Sequence, residues 1–274
     1  MARNALARSL ALSLSLTACV GTRDAACDEP DRSCDLPPSG AGSLTVRSLR
    51  ARNPRLAEGA GVNLRAVRVT AIDAYDETQS GRVGTLWAQE FSPPGDVTDR
   101  FAPCPLLPDA SGRMCAISMF SPSFSPTGYR PAVGDLVDVT GGAYNEFTCA
   151  TCGSPFAEGN FLPQVATAVL VRAGVAPPVE PIAVTLDEIL AHHRELMGIL
   201  VTVENVTATS DPDARFGEMI IAGPARTGLS LAPQLTPIPG ARAGTRWDRI
   251  TGVVTYFYNP KLLPRSPGDL IGQR

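Results

Sequence analysis

The chain has 274 residues, of which 44% are hydrophobic and only 6% aromatic, and it carries 24 basic against 27 acidic residues. This acidic excess excludes an overall electrostatic attraction to nucleic acid or to an anionic membrane surface. Glycine and proline contribute 25 residues each, which favours many short strands joined by turns over a helical bundle. The length suffices for one large domain or two small ones.

The N-terminus has the features of a secretory leader. Arg3 and Arg8 precede an apolar stretch, residues 9–16, that is too short to span a bilayer. The following Leu16-Thr-Ala-Cys19 resembles the lipobox of bacterial lipoproteins. The resemblance implies cleavage after residues 1–18 and a diacylglycerol thioether on the sulfur of Cys19. The alternative is an ordinary signal peptide followed by an incidental cysteine.

A lipidated chain would be exported and held at a membrane by its N-terminus. Position 20 is valine, whereas an aspartate there would suggest retention at the inner membrane. By analogy with enteric bacteria, we therefore expect the outer membrane, on its periplasmic or surface face.

Six cysteines remain once Cys19 is assigned to lipid, and an even number in an exported protein favours disulfides. Fifteen connectivities are possible, and proximity in the sequence favours pairing Cys27 with Cys34, Cys104 with Cys115, and Cys149 with Cys152. The competing interpretation of Cys149-Ala-Thr-Cys152 is a redox or zinc motif. It lacks a second ligand pair nearby and is followed by Gly-Ser-Pro, which is typical of a loop.

Composition divides the mature chain into segments. Residues 19–43 are polar and rich in Asp, Pro, Gly and Ser, which predicts a disordered, disulfide-tied tether. The prolines of residues 176–181 favour an extended linker. We therefore predict a first domain over 44–175 and a second over 182–274.

The two predicted domains are similar to each other in sequence. Five matches occur in the same order: Gly61–Ala71 with Gly198–Ala208 without a gap, Val83–Ala88 with Phe216–Ile221, Arg113–Met119 with Arg226–Leu231, Val133–Gly141 with Ala243–Gly252, and Phe161–Pro163 with Leu262–Pro264. Such order indicates an internal repeat. The first copy is longer because of two cysteine-bearing insertions, one before its third strand and one before its last.

A capping box precedes the second copy. Thr185 and Glu188 have the required spacing, and apolar residues at helical intervals predict one amphipathic helix over 186–197. Residues 44–49 are a fainter version of the same signal before the first copy.

Strand alternation in both copies changes phase within the first strand, near Ala66 and near Glu204. Such a slip indicates a bulge where one strand serves both halves of a small barrel. Five short strands per copy therefore predict an all-β fold of two tandem OB-like five-stranded barrels, each preceded by a short segment or helix.

The stretch Val133–Phe147 resembles the bacterial OB-fold modules associated with secreted nucleases and with envelope lipoproteins. The similarity rests on Gly-Asp, alternating valines, Thr-Gly and a hairpin with an aromatic residue. Residues 250–257, and Pro264-Arg265 with Asp269-Leu270, fit the same pattern. The second copy departs from it at Thr245, where the family has aspartate. The resemblance implies a fold more strongly than a function, because OB barrels bind many unrelated ligands.

No catalytic constellation emerges from the sequence. The only histidines, His192 and His193, are adjacent and would point about 100° apart on a helix, so they cannot readily share a metal. Nucleophile elbows and phosphate-binding glycine loops are absent from the sequence. Acidic pairs lie in turns without calcium-loop spacing. We therefore expect neither an enzyme nor a cofactor nor a metal.

One segment has the composition of a ligand face. Tyr256 and Tyr258 should project to one side of a strand with Phe257 inward, and Lys261 and Arg265 lie nearby. The alternative is a hairpin whose tyrosines cover the barrel. The leading functional hypothesis is a non-catalytic binding or assembly module for an envelope protein or glycan. The second is single-stranded nucleic-acid binding, which uses aromatic stacking and free cations.

Overall fold

The computed structural model describes residues 44–52, 55–73, 84–92, 113–148, 162–225 and 228–274. Cys19, the tether and five of the six cysteines assigned to disulfides lie outside these ranges. The remaining one, Cys115, is buried within the third strand instead of preceding it. Lipidation and the three pairings therefore stay predictions. Among the described residues, none of the helices has the length and apolar character needed to cross a membrane.

In the described ranges, the N-terminal barrel has one short helix and seven strands. These are α1 (Val46–Arg50), β1 (Gly61–Asp73), β2 (Thr85–Ser92), β3 (Arg113–Phe120), β4 (Ser123–Ser125), β5 (Asp135–Phe147), β6 (Leu162–Ala166) and β7 (Val169–Val175). Strands β1, β2, β3, β6 and β5 follow one another around the barrel, and pairing of β5 with β1 closes it. The contact of β3 with β6 is parallel.

The C-terminal barrel repeats this topology. Its elements are β8 (Ile182–Ala183), α2 (Leu186–Ala191), α3 (His193–Leu196), β9 (Leu200–Ala208), β10 (Met219–Ala222), β11 (Gly228–Leu231), β12 (Arg246–Phe257), β13 (Asn259–Leu263) and β14 (Leu270–Ile271). Strands β9, β10, β11, β13 and β12 close in the same order, with β11 parallel to β13. The prediction of two five-stranded OB-like barrels is confirmed.

The helix starts follow the predicted caps. The Thr185 hydroxyl accepts the Glu188 N–H while the Glu188 carboxylate accepts the Thr185 N–H, and Thr45 with Ser48 forms the same box before α1. The single helix predicted over 186–197 is wrong. It breaks at His192, whose φ of −124° is not helical, and this break lets His193 stack on Tyr256 with ring centroids 5.3 Å apart.

The predicted change of phase is present in both first strands. Burial switches sides at Ala66 and Val67 and again at Glu204 and Asn205. Ala66 and Asn205 are also the residues of these two strands with positive φ, 48° and 54°. They therefore occupy equivalent positions, which places the gapless alignment of Gly61–Ala71 with Gly198–Ala208 two residues out of register.

A second predicted match is also misplaced. Pro163 faces Glu146 in β5, and its counterpart facing the end of β12 is Pro260 instead of Pro264. In the parallel contacts, Ser118 pairs with Gln164 and Ser230 pairs with Lys261. Gln164 and Lys261 are therefore equivalent positions of the two barrels. Both matches are displaced by an even number of residues, which preserves the alternation of inward and outward side chains. The sequence pattern alone therefore could not reveal the displacement.

The two barrels dock directly on each other within the unit Leu36–Arg274. Ala71 and Trp87, which point out of the N-terminal barrel, form one apolar cluster with residues of the C-terminal barrel: Leu200, Ala232, Val253 and Leu263. Val179, from the proline-rich segment, packs against this cluster and against the core of the C-terminal barrel. The segment predicted as a linker is therefore packed, at Val179, against the folded barrels.

Candidate ligand surface

A row of directly paired residues crosses the outer face of each barrel. In the N-terminal barrel it runs from Gln164 through Ser118 to Trp87. In the C-terminal barrel it runs from Lys261 through Ser230 to Ile220. The strands that carry these rows present the surface on which OB barrels hold oligonucleotides and oligosaccharides, so their surroundings decide where a ligand can bind.

The N-terminal row is covered by the C-terminal barrel at its Trp87 end. Trp87 is 2% exposed and belongs to the cluster between the barrels. Two residues further along β2, the Leu200 N–H donates to the Gln89 side-chain oxygen at 2.9 Å. At the other end, the Gln234 amide donates to Asp73 at 2.8 Å. This face is thus occupied from within the chain.

Arg50 reinforces the same contact from α1. Its guanidinium donates to the carbonyl of Met197 at 2.9 Å, to that of Glu195 at 3.1 Å and to that of Arg194. Loss of solvent around the charged group lowers the pKa of Arg50 to about 10, so it stays protonated at neutral pH. Because a planar guanidinium donates to several carbonyls in fixed directions, Arg50 both strengthens the contact between the barrels and fixes their relative orientation.

The C-terminal row is open at one end. Ile220 is 38% exposed, and Phe216, in the loop between β9 and β10, is 53% exposed. The loop is held by Asp213, whose carboxylate accepts backbone N–H groups from Arg215, Phe216 and Glu218 at 2.7–2.8 Å. These hydrogen bonds, chiefly that from Phe216, lower the pKa of Asp213. The Arg215 guanidinium carbon lies 4.7 Å from the Phe216 ring centroid.

The structure places the four residues predicted as a ligand face in different surroundings. Tyr256 is 6% exposed and packs with Met197, whereas Phe257 is 38% exposed, so the predicted orientations of these two rings are reversed. The physical reason is the apolar contact with His193 and Met197, which draws Tyr256 inward. Tyr258 is exposed, but it is the turn residue between β12 and β13 instead of a strand residue.

The two predicted cations are already neutralised. Lys261, the only lysine, is 6% exposed and forms an ion pair with Glu218, which also accepts a hydrogen bond from Ser230 at 2.8 Å. Arg265 forms a two-point ion pair with Asp269 and donates to the Thr70 carbonyl of the other barrel. Both cations therefore already have a carboxylate partner within the chain.

Sequence reasoning missed Phe216 and Phe257 as exposed aromatic residues. Phe257 stacks almost parallel on Phe147 of the N-terminal barrel, with centroids 6.4 Å apart, and meets Tyr258 edge-on at 4.6 Å. The position of Phe216 before a glycine in a loop between two strands is the signal that could have identified it. Within the described ranges no three metal-ligating side chains converge.

No protein-family model matches the chain, and no curated protein matches it. Among solved structures, it is similar to a chain of a Replication Protein A heterotrimer bound to single-stranded DNA. The identity is 8%, the match covers 80% of this chain and 67% of that chain, and the TM-score is 0.20. At that TM-score we draw no functional conclusion from the likeness.

Proposed function

We propose that this chain is a lipid-anchored envelope protein whose paired barrels form a non-catalytic binding module. The C-terminal barrel carries the free surface, with Phe216 and Ile220 at its centre. The observation that supports the proposal is the contrast between equivalent ends of the two outer rows: Trp87 is covered by the other barrel, whereas Ile220 is exposed.

The chemistry of this surface favours a protein partner. Phe216 is exposed on a loop held by Asp213, Ile220 is exposed on the adjoining strand β10, and Arg215 adds a cation beside the Phe216 ring. Buried aromatic anchors with a neighbouring arginine dominate the energetics of many protein interfaces. The acidic composition and the paired state of Lys261 and Arg265 oppose the alternative, single-stranded nucleic-acid binding.

Site-specific photocrosslinking tests the partner surface. A photoreactive phenylalanine analogue replaces Phe216 in cells, and the same analogue replaces the exposed Val175 of the N-terminal barrel as a matched control. We expect one protein adduct that forms from position 216 and is absent from position 175. Equal adducts from both positions, or none from position 216, would contradict the proposed surface.

Two further measurements address the remaining parts of the proposal. Metabolic labelling with an alkyne fatty acid should mark the wild-type chain and not a Cys19→Ser variant; equal labelling would contradict lipidation. Fluorescence anisotropy of residues 20–274 with a labelled single-stranded oligonucleotide should show no saturable binding at low salt. Saturable binding that weakens with added salt would instead favour the nucleic-acid alternative.

A further inference from the structure

A second aromatic surface, formed by two exposed rings and one partly buried ring, lies where the two β-hairpin ends meet. Phe147 closes β5 in the N-terminal barrel, and Phe257 closes β12 in the C-terminal barrel. Their rings are nearly parallel, at 5°, and Tyr258 stands at 74° to Phe257. We call Phe147, Phe257 and Tyr258 the aromatic platform. It combines one ring from the first barrel with two from the second.

Tyr258 adopts a backbone conformation that its side chain does not favour. Its φ is 65°, in the left-handed region that a glycine occupies without strain. The residues on either side of it, Phe257 and Asn259, pair directly across the hairpin and hold the turn tight. Despite this cost the tyrosine is 45% exposed, so its ring contributes little core packing in return. Strain of this kind concentrates where a side chain has a task other than folding.

Among the residues that the structure describes, the polar groups named here beside the platform are neutral or already paired. Asn259 is exposed next to Tyr258 and offers an amide donor and an amide acceptor, and the Tyr258 phenol offers one of each. The neighbouring ions form internal pairs, Glu146 with Arg52 and Lys261 with Glu218. A phosphate backbone requires unpaired cations, whereas a neutral ring with hydroxyl groups requires stacking surface and hydrogen-bonding groups without charge.

From this combination we propose that the aromatic platform binds the ring of a neutral carbohydrate. The apolar C–H face of a sugar ring would stack on Phe257 or Tyr258, while its hydroxyl groups bond to Asn259 and the tyrosine phenol. The site is independent of the protein surface around Phe216. It depends on the docking of the barrels, because Phe147 belongs to the N-terminal one.

The test uses the protein purified in detergent and a neutral β-1,4-linked hexamer of N-acetylglucosamine, with binding followed by calorimetry at low and high salt. We expect saturable binding that is insensitive to salt and becomes roughly tenfold weaker in Phe257→Leu. Phe216→Leu is the matched control, an exposed ring replaced outside the platform, and it should bind like the wild type.

Tyr258→Gly separates binding from folding. Glycine relieves the left-handed backbone, so this variant should unfold at an equal or higher temperature and still bind the hexamer about tenfold more weakly. Three results would overturn the proposal: absence of binding to the wild type, binding as tight as wild type by Phe257→Leu or Tyr258→Gly, or displacement of the sugar by a single-stranded oligonucleotide at low salt. None of these alters the crosslinking expected at position 216.

Discussion

Trp87 and Ile220 occupy the same position in the two barrels and have opposite surroundings. Each lies in the second barrel strand and pairs with a serine of the third, Ser118 or Ser230. Trp87 is 2% exposed beneath the other barrel, and Ile220 is 38% exposed. In this tandem pair, the outer face of the N-terminal barrel contacts the other barrel at Trp87. The equivalent position of the C-terminal barrel is accessible to solvent.

The largest expected effect comes from removing the covered ring. Trp87→Ala should lower the free energy of unfolding by about 3–5 kcal/mol, because it leaves a cavity between the barrels. Ile220→Ala, at the equivalent exposed position, should change it by no more than about 0.5 kcal/mol. Denaturant unfolding of both variants checks the difference. Similar losses in the two variants would contradict the assignment of covered and open faces.

Arg50 offers a way to weaken the same contact without a cavity. Arg50→Met keeps an apolar stem but leaves the carbonyls of Met197 and Glu195 without their donor, so we expect a loss of about 2 kcal/mol in urea unfolding. Arg50→Lys retains the charge and loses the fork, so it should fall between Arg50→Met and the wild type. A lysine variant as unstable as the methionine variant would show that the fork geometry alone matters.

A smaller, pH-dependent effect is expected at Glu90. Burial raises the pKa of this carboxyl above its ordinary value of 4.5, against the opposing effect of the Arg47 N–H at the start of α1. A raised carboxyl pKa means that the folded protein loses stability as pH rises from 4.5 through the folded value. Glu90→Gln should therefore gain stability relative to wild type between pH 4 and pH 7. Denaturant unfolding at both values measures the change, and parallel behaviour of the two proteins would contradict it.

The smallest effect on stability is expected at the open surface. Phe216→Ser should change the free energy of unfolding by no more than about 0.5 kcal/mol, because the ring is 53% exposed. The same substitution should abolish co-purification of the protein identified by the crosslink from position 216. An unfolding midpoint displaced as far as that of Trp87→Ala would instead identify Phe216 as a packing residue.

The sequence was sufficient to predict the architecture and insufficient to align its two copies. Alternation of apolar side chains specifies which face each residue takes, and a shift of two residues leaves every face unchanged. The gapless match of β1 with β9 was therefore wrong in register while correct in pattern. The left-handed backbone at Ala66 and Asn205 distinguishes the two alignments, and neither residue type requires that conformation.

The candidate site was less predictable for a related reason. Alternation along β12 would have placed Tyr256 and Tyr258 together, but the strand ends at Phe257 and the turn takes Tyr258 out of the pattern. The charge of Lys261 is paired with Glu218, which lies in the loop between β9 and β10, far from Lys261 in the sequence. The docking of Trp87 on Leu200, Val253 and Leu263 is a tertiary contact between the copies. None of these pairings has a local sequence signal.

The covered face of the N-terminal barrel also constrains the order in which the chain can fold. A polypeptide emerges from the ribosome with its N-terminal part first. The strands that carry Ala71 and Trp87 are then complete before Val253 and Leu263 have been delivered, so an apolar surface with an aromatic centre stays exposed to water in the interval. The first barrel is consequently the part that needs protection during biogenesis, and the arrival of β13 ends that requirement.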